Sequence, residues 1–306
     1  MGQVTILALV GVAILLALIV WRYLLYRPTP LPSPFADIPV AKTKVGEWEI
    51  RFHTSGQGPN LLLLHGIGAN LFCWRWILPV LREKYTVTML DLPGFGGSSK
   101  IPGAHYGLDE QAERLIGFLD ARGIRKTYIV GNSMGGNIAL WFAANFSDRC
   151  LGCAVIAPAT SPSLMPLSAM PWLWLSKPIS LMLSRGAMRW AHRRTVTQKD
   201  RVDAARIEET YLTYGRNHEA VRSFLAATES IRDPRLAKSL SKLDKKVLIL
   251  WGSEDRLVPR KVISALESAL RASESHIHIG GGHHLQEDEP LWVAEKIDGF
   301  FAENQD

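Results

Sequence analysis

The chain has 306 residues, 47% of them hydrophobic and 21% charged, which is enough to bury one large core or one core with an inserted subdomain. Its net charge of +6 comes without the mixed basic and aromatic pattern of a nucleic-acid binder, so nucleic acid is excluded as a partner. The basic cluster at 185–194 reads as a solvated face, with attraction to anionic headgroups as the second reading.

The first element in chain order is an unbroken apolar run at 4–21, whose one polar side chain is Thr5. It has about the minimum length of a membrane-spanning helix. No Lys or Arg precedes it and no small-residue cleavage site follows, which argues against a secretory signal. Residues 1–27 therefore read as an uncleaved single-pass membrane anchor. Trp21, Tyr23 and Tyr26 suit an interface, and Arg22 and Arg27 on the C-terminal flank predict a cytoplasmic catalytic domain. Residues 28–43 read as a linker, stiffened by four prolines in the stretch 28–34.

From 44 to 306 the pattern alternates strands and helices. An edge strand at 47–53 leads to a fully buried strand at 61–64, a short helix at 74–82 and a strand at 86–90. An amphipathic helix at 108–121 follows, with Leu115, Phe118 and Leu119 on one face. Strands at 127–130, 151–157, 246–251 and 275–279, with helices at 260–271 and 290–301, complete the set. Apolar strands separated by helices mean a mostly parallel sheet covered on both faces, an α/β fold. The three cysteines make no disulfide framework. Cys150 and Cys153 begin an apolar strand and lack the further ligands that a zinc site needs, so they read as packing.

The alternation breaks at about 161–240, where no strand-like run occurs. The segment opens rich in Met, Pro and Trp, turns basic, then becomes helical, and it is too long for a structureless loop. It reads as a helical cap over the carboxyl edge of the sheet. Its apolar start packs the cap down, lines an acyl pocket or meets a bilayer.

The chemistry centres on Gly131-Asn132-Ser133-Met134-Gly135, set between the strand at 127–130 and a helix beginning near Gly136. Glycines on either side of a serine permit a turn tight enough to lift its hydroxyl above the sheet edge. The bland alternative is a crossover turn whose serine caps the helix. A serine hydroxyl needs a base, and the base needs an acid to fix its tautomer. Asp255, on the loop after the strand at 246–251, supplies the acid; Glu254 and Asp244 lie near it in sequence and read as surface carboxylates. The base lies in Gly280-Gly281-Gly282-His283-His284, at His283 or His284. His65 reads as a structural histidine holding neighbouring loops. The developing oxyanion needs fixed donors, for which the backbone N–H groups of Met134 and Ile67 are the candidates. No metal or organic cofactor is called for.

These blocks together resemble the α/β-hydrolase superfamily over 45–301. They are Leu64-His65-Gly66-Ile67-Gly68, the stretch 91–99 opening Asp91-Leu92-Pro93-Gly94, the serine turn, Trp251-Gly252-Ser253-Glu254-Asp255 and Gly282-His283. The resemblance implies the catalytic order Ser133, Asp255, His283. It favours His283 over His284, because the family places its histidine before an acidic stretch and a proline, here 287–290. Asn132-Ser133-Met134-Gly135-Gly136 is similar to two serine branches: bacterial lipases with the membrane-bound monoacylglycerol lipases, and the carbon–carbon hydrolases of aromatic ring-fission products. The anchor and the apolar cap favour the first. The expectation is a membrane-anchored serine esterase or lipase acting on monoacylglycerol-like lipids through an acyl-enzyme, with a lipid or small ester and the membrane as its partners. A carbon–carbon hydrolase, and a catalytically inactive hydrolase fold serving as a binding protein, are the alternatives.

Overall fold

The computed structural model describes residues 10–18 and 35–304. Eight strands form one sheet in the order β1-β2-β4-β3-β5-β6-β7-β8. They are β1 (Ala41–Val45), β2 (Trp48–Ser55), β3 (Asn60–Leu64), β4 (Thr86–Leu90), β5 (Thr127–Asn132), β6 (Cys150–Ile156), β7 (Val247–Gly252) and β8 (Ser273–His278). Pairing is antiparallel from β1 to β2 and β2 to β4, and parallel across the rest.

Side-chain alternation on the central strands feeds two cores. On β3, Leu61 and Leu63 pack with one cluster and Leu62 and Leu64 with the other. A sheet buried on both faces explains why these strands read as unbroken apolar runs. One face is covered by α3 (Leu108–Ala121) and α4 (Met134–Asn145), the other by α2 (Leu78–Leu81) and the last helix, Pro290–Glu303. Cys150 and Cys153 are free and buried.

Between β6 and β7 the described chain holds helices and no strand. The longer ones are α5 (Ser176–Met182), α6 (Arg185–His192), α7 (Ala204–Tyr214), α8 (His218–Arg232) and α9 (Arg235–Leu240). Ile207, Tyr211, Tyr214 and Val221 from this cap join the core of the α3/α4 face.

Three features differ from the sequence reading. The expected membrane anchor is not supported: among the described residues no helix is long and apolar enough to cross a membrane. The described residues 10–18 there are helical, nine in all. At about 1.5 Å per residue these nine described residues rise roughly 14 Å, short of a hydrocarbon core. The single-pass placement and the orientation drawn from its basic flank fall with it. The rest of the apolar run and the Pro-rich stretch 28–34 lie outside the described residues. Second, β1 begins at Ala41, across the expected linker. Its lysines face solvent, which leaves no apolar run to read. Third, the single helix expected at 74–82 is a 3₁₀ turn, Leu71–Trp74, followed by α2 with Pro79 in its first turn.

Candidate active site

Loops after four strands, β3, β5, β7 and β8, gather at the carboxyl edge of the sheet. β3 and β5 are neighbours in parallel register, with Leu64 opposite Gly131, so the loop after β3 runs beside the turn after β5. That turn is strained. Ser133 has φ 54° and ψ −119°, a conformation that costs a non-glycine residue about 1–3 kcal/mol. Its flanking glycines make the turn possible. A Cβ on Gly131 would sit 2.1 Å from the Gly135 carbonyl oxygen, and one on Gly135 would sit 2.4 Å from that of Leu64. The Ser133 side chain makes no capping bond to α4, so its hydroxyl is not spent on the helix.

Asp255 follows β7 and His283 follows β8. Their side chains meet: His283 Nδ1 lies 2.8 Å from Asp255 Oδ2, and both are buried. With Nδ1–H donating to the carboxylate, Nε2 is left as the ring's acceptor. The other carboxylate oxygen, Oδ1, accepts the N–H groups of Leu257 (2.8 Å) and Val258 (3.0 Å). Burial alone would raise the Asp255 carboxyl, but the His283 ring and these two N–H groups outweigh it and hold it below its ordinary value. Backbone bonds from Glu254 N–H to Gly281 O (2.9 Å) and Ser253 N–H to His278 O (3.0 Å) stitch the acid loop to the histidine loop. Glu254 and Asp244 are exposed.

Ser133 joins this pair through its neighbour. Asn132 Nδ2 donates to the His283 carbonyl at 3.1 Å and to the Ile156 carbonyl at 3.0 Å. The Ser133 hydroxyl itself makes no hydrogen bond among the described residues, a common state of such pairs before substrate arrives.

The two candidate oxyanion donors lie on either side of the serine. Met134 is the first residue of α4, where N–H groups have no intrahelical partner and the helix dipole is positive. The Ile67 N–H makes no backbone bond among the described residues. Its loop is held by His65, which is fully buried: Nδ1–H donates to Gly66 O at 2.7 Å, and Nε2 accepts the Leu92 N–H at 3.0 Å. Burial pushes the His65 pKa down, so the ring is neutral as this pattern requires. Phe224 of α8 covers the same loop, close enough that a Cβ on Gly68 would stand 2.9 Å from its ring.

His284 points elsewhere. Its Nδ1 lies 2.9 Å from Glu287 Oε1 and 2.8 Å from Arg206 Nη2, in a buried cluster beneath the cap. Asp288 ties the histidine loop to the cap by accepting the N–H groups of Gly282 (2.8 Å), Thr197 (3.0 Å) and Gln198 (3.0 Å).

Residues 59–290 match the alpha/beta hydrolase fold family, about three quarters of the chain. The chain belongs to that family. It is an α/β-fold hydrolase, with a small-molecule substrate. An uncharacterized hydrolase of Bacillus subtilis, YugF, is 29% identical over 254 residues, covering 78% of this chain and 89% of that protein. A 2-hydroxy-6-oxo-2,4-heptadienoate hydrolase of Pseudomonas putida is 26% identical over 263 residues, covering 84% of this chain and 94% of that protein. Among solved structures, a membrane phospholipase A described as a bacterial virulence factor superposes with a TM-score of 0.73 at 27% identity, over 100% of both chains.

In this hydrolase several supporting residues escape a sequence reading. Asn132 and Asp288 sit inside recognised motifs, but their bonds span 151 and about 90 residues of chain. Arg51, Arg206 and Glu209 belong to no motif. Nothing local in the sequence marks these charged residues of strand β2 and helix α7 as buried, and only the fold shows it.

Proposed function

We propose that this hydrolase cleaves carboxylic esters through an acyl-enzyme on Ser133. His283 Nε2 takes the proton as Ser133 Oγ attacks the ester carbonyl, and Asp255 steadies the imidazolium that forms. The N–H groups of Ile67 and Met134 hold the tetrahedral oxyanion. His283 then protonates the departing alcohol. Water, activated by the same ring, releases the acid and restores Ser133.

The observation that carries the reading is the His283–Asp255 pair at 2.8 Å, on a loop bonded through Asn132 to the strained turn of Ser133. For the substrate we favour monoacylglycerol-like esters. Met165 and Leu173 of the cap are partly buried against the core of the α3/α4 face, apolar surface of the kind that suits an acyl chain. The full-length likeness to a phospholipase A points the same way. The second reading, cleavage of a carbon–carbon bond in a dienoate, is favoured by the likeness to the heptadienoate hydrolase.

The two readings separate in one assay. Purified enzyme is offered monoacylglycerols of graded chain length, short acyl esters and a coloured ring-fission dienoate. Ester turnover with slow or no bleaching of the dienoate supports the first reading; the reverse result supports the second.

A further inference from the structure

Helix α7 carries two opposite charges one turn apart, Arg206 and Glu209, and both are buried. They reach different halves of the site. Arg206 Nη1 donates to Glu287 Oε2 at 2.8 Å, while Nη2 meets His284 Nδ1 at 2.8 Å. His284 follows His283 directly, and its backbone N–H donates to Thr195 of the cap at 2.9 Å. Arg75 donates to the same Glu287 oxygen and to Asp203 at the N-cap of α7, each at 3.2 Å.

Glu209 turns the other way and pairs with Arg51 of β2 at 2.7 Å. Arg51 Nε in turn pairs with Asp91. The Asp91 carboxylate accepts the N–H groups of Leu71 and Gly97, each at 2.7 Å. Leu92, the next residue, donates to His65, whose ring bonds Gly66 beside Ile67. One line of contacts therefore runs from Arg206 to the histidine loop, and another from Glu209 to the oxyanion loop.

We propose that α7 is a two-ended clamp: Arg206 and Glu209 are positioning residues that set His283 and the Ile67 N–H when the cap is docked. The inference rests on the reading of Ser133 and His283 as nucleophile and base. Docking alone does not call for these charges, because apolar residues of the same volume hold two buried surfaces together as well or better. Charges fix direction. Once buried, each keeps its one partner, since an uncompensated charge in the interior is strongly unfavourable. A cap that lifts would free both loops together, so rate is tied to closure.

The test compares wild type, Ser133→Ala, Glu209→Gln and the paired variant Arg206→Met with Glu287→Leu. A fluorophosphonate counts competent serines, kcat and KM are measured on a short acyl ester, and thermal unfolding reports stability. The paired variant removes both members of the Arg206–Glu287 pair and leaves Arg75 with Asp203 as its partner, so thermal unfolding is read first and kinetics are compared only on folded protein. The clamp predicts that kcat per competent site falls about ten- to a hundred-fold, with KM changed less than about three-fold. Glu209→Gln, nearly isosteric, behaves the same way and decides the matter alone should the paired variant not fold. A kcat within two-fold of wild type in either folded variant overturns the clamp, provided Ser133→Ala is inactive. An active Ser133→Ala overturns instead the catalytic reading beneath it.

Discussion

Asn132 Nδ2 donates to the backbone carbonyl of His283 at 3.1 Å, so the residue before the candidate nucleophile holds the loop of the candidate base. The same amide nitrogen donates to Ile156 O at 3.0 Å, which fixes its direction. Removing it frees the histidine loop at its point of contact with the serine turn. Asn132→Ala is expected to lower kcat about ten-fold or more while KM moves little, because an ångström of misplacement is felt mainly in the transition state. Steady-state kinetics on a short ester check this; an unchanged kcat would leave Asn132 a packing residue.

The two adjacent histidines divide cleanly by partner, His283 to Asp255 and His284 to Glu287 and Arg206. His283→Ala and Asp255→Asn are each expected to cost on the order of 10,000-fold in kcat. His284→Asn should lose far less, within about a hundred-fold, since its effect on the reaction runs through position alone. The ordering of these three rates is the readout, and a His284 variant as dead as the His283 variant would reverse the assignment.

What could be read from the sequence was the chemistry that is local. The turn at Ser133 is legible because two glycines, a preceding apolar strand and a following helix are all contiguous. The β3 and β5 strands are legible because burial on both faces leaves them wholly apolar. The pairing of Arg51 with Glu209, or of Arg206 with Glu287, leaves no local trace: the partners lie 158 and 81 residues apart, and a buried arginine looks in sequence like an exposed one. Strand β1 was hidden for the opposite reason, since an edge strand with exposed lysines carries too little apolar pattern. The apolar run near the N-terminus pointed to a span by composition, whereas the described helix there is too short to make one.

Phe224 is seated on Gly68 beside the candidate oxyanion donor Ile67. If Ile67 holds the oxyanion, this ring borders the ester's acyl or alcohol group. Phe224→Ala is expected to raise kcat/KM for long-chain monoacylglycerols relative to acetyl esters by about ten-fold, the scale of one lost steric contact in a pocket. Profiles of kcat/KM against chain length for both proteins test this, and parallel profiles would remove Phe224 from any role in selectivity.

Glu287 gives the cap a pH signature. Burial raises its carboxyl, but Arg206, His284 and Arg75 outweigh that and hold it at about 2, against an ordinary 4.5. A carboxylate depressed in the folded state contributes stability that is fully present above its unfolded value and is lost as pH falls through the folded one. The contribution should therefore be intact above about pH 4.5 and disappear on the way to about pH 2. Glu287→Gln is expected to unfold at lower temperature than wild type at neutral pH, by an amount corresponding to about 3–5 kcal/mol for a broken buried pair. The gap between the two melting curves should then narrow below about pH 4.5. A gap constant across that range would mean that Glu287 is not held as a charged partner of the cap.

The most direct measurement is the site of covalent capture. The enzyme is incubated with a fluorophosphonate, digested, and the modified peptide sequenced by mass spectrometry, alongside turnover of a short ester by Ser133→Ala. The expected result is one phosphonate per molecule on Ser133 and no turnover above background in the variant. Capture at another residue, or a variant that hydrolyses the ester at the wild-type rate, would contradict Ser133 as the nucleophile and with it the mechanism built on that hydroxyl.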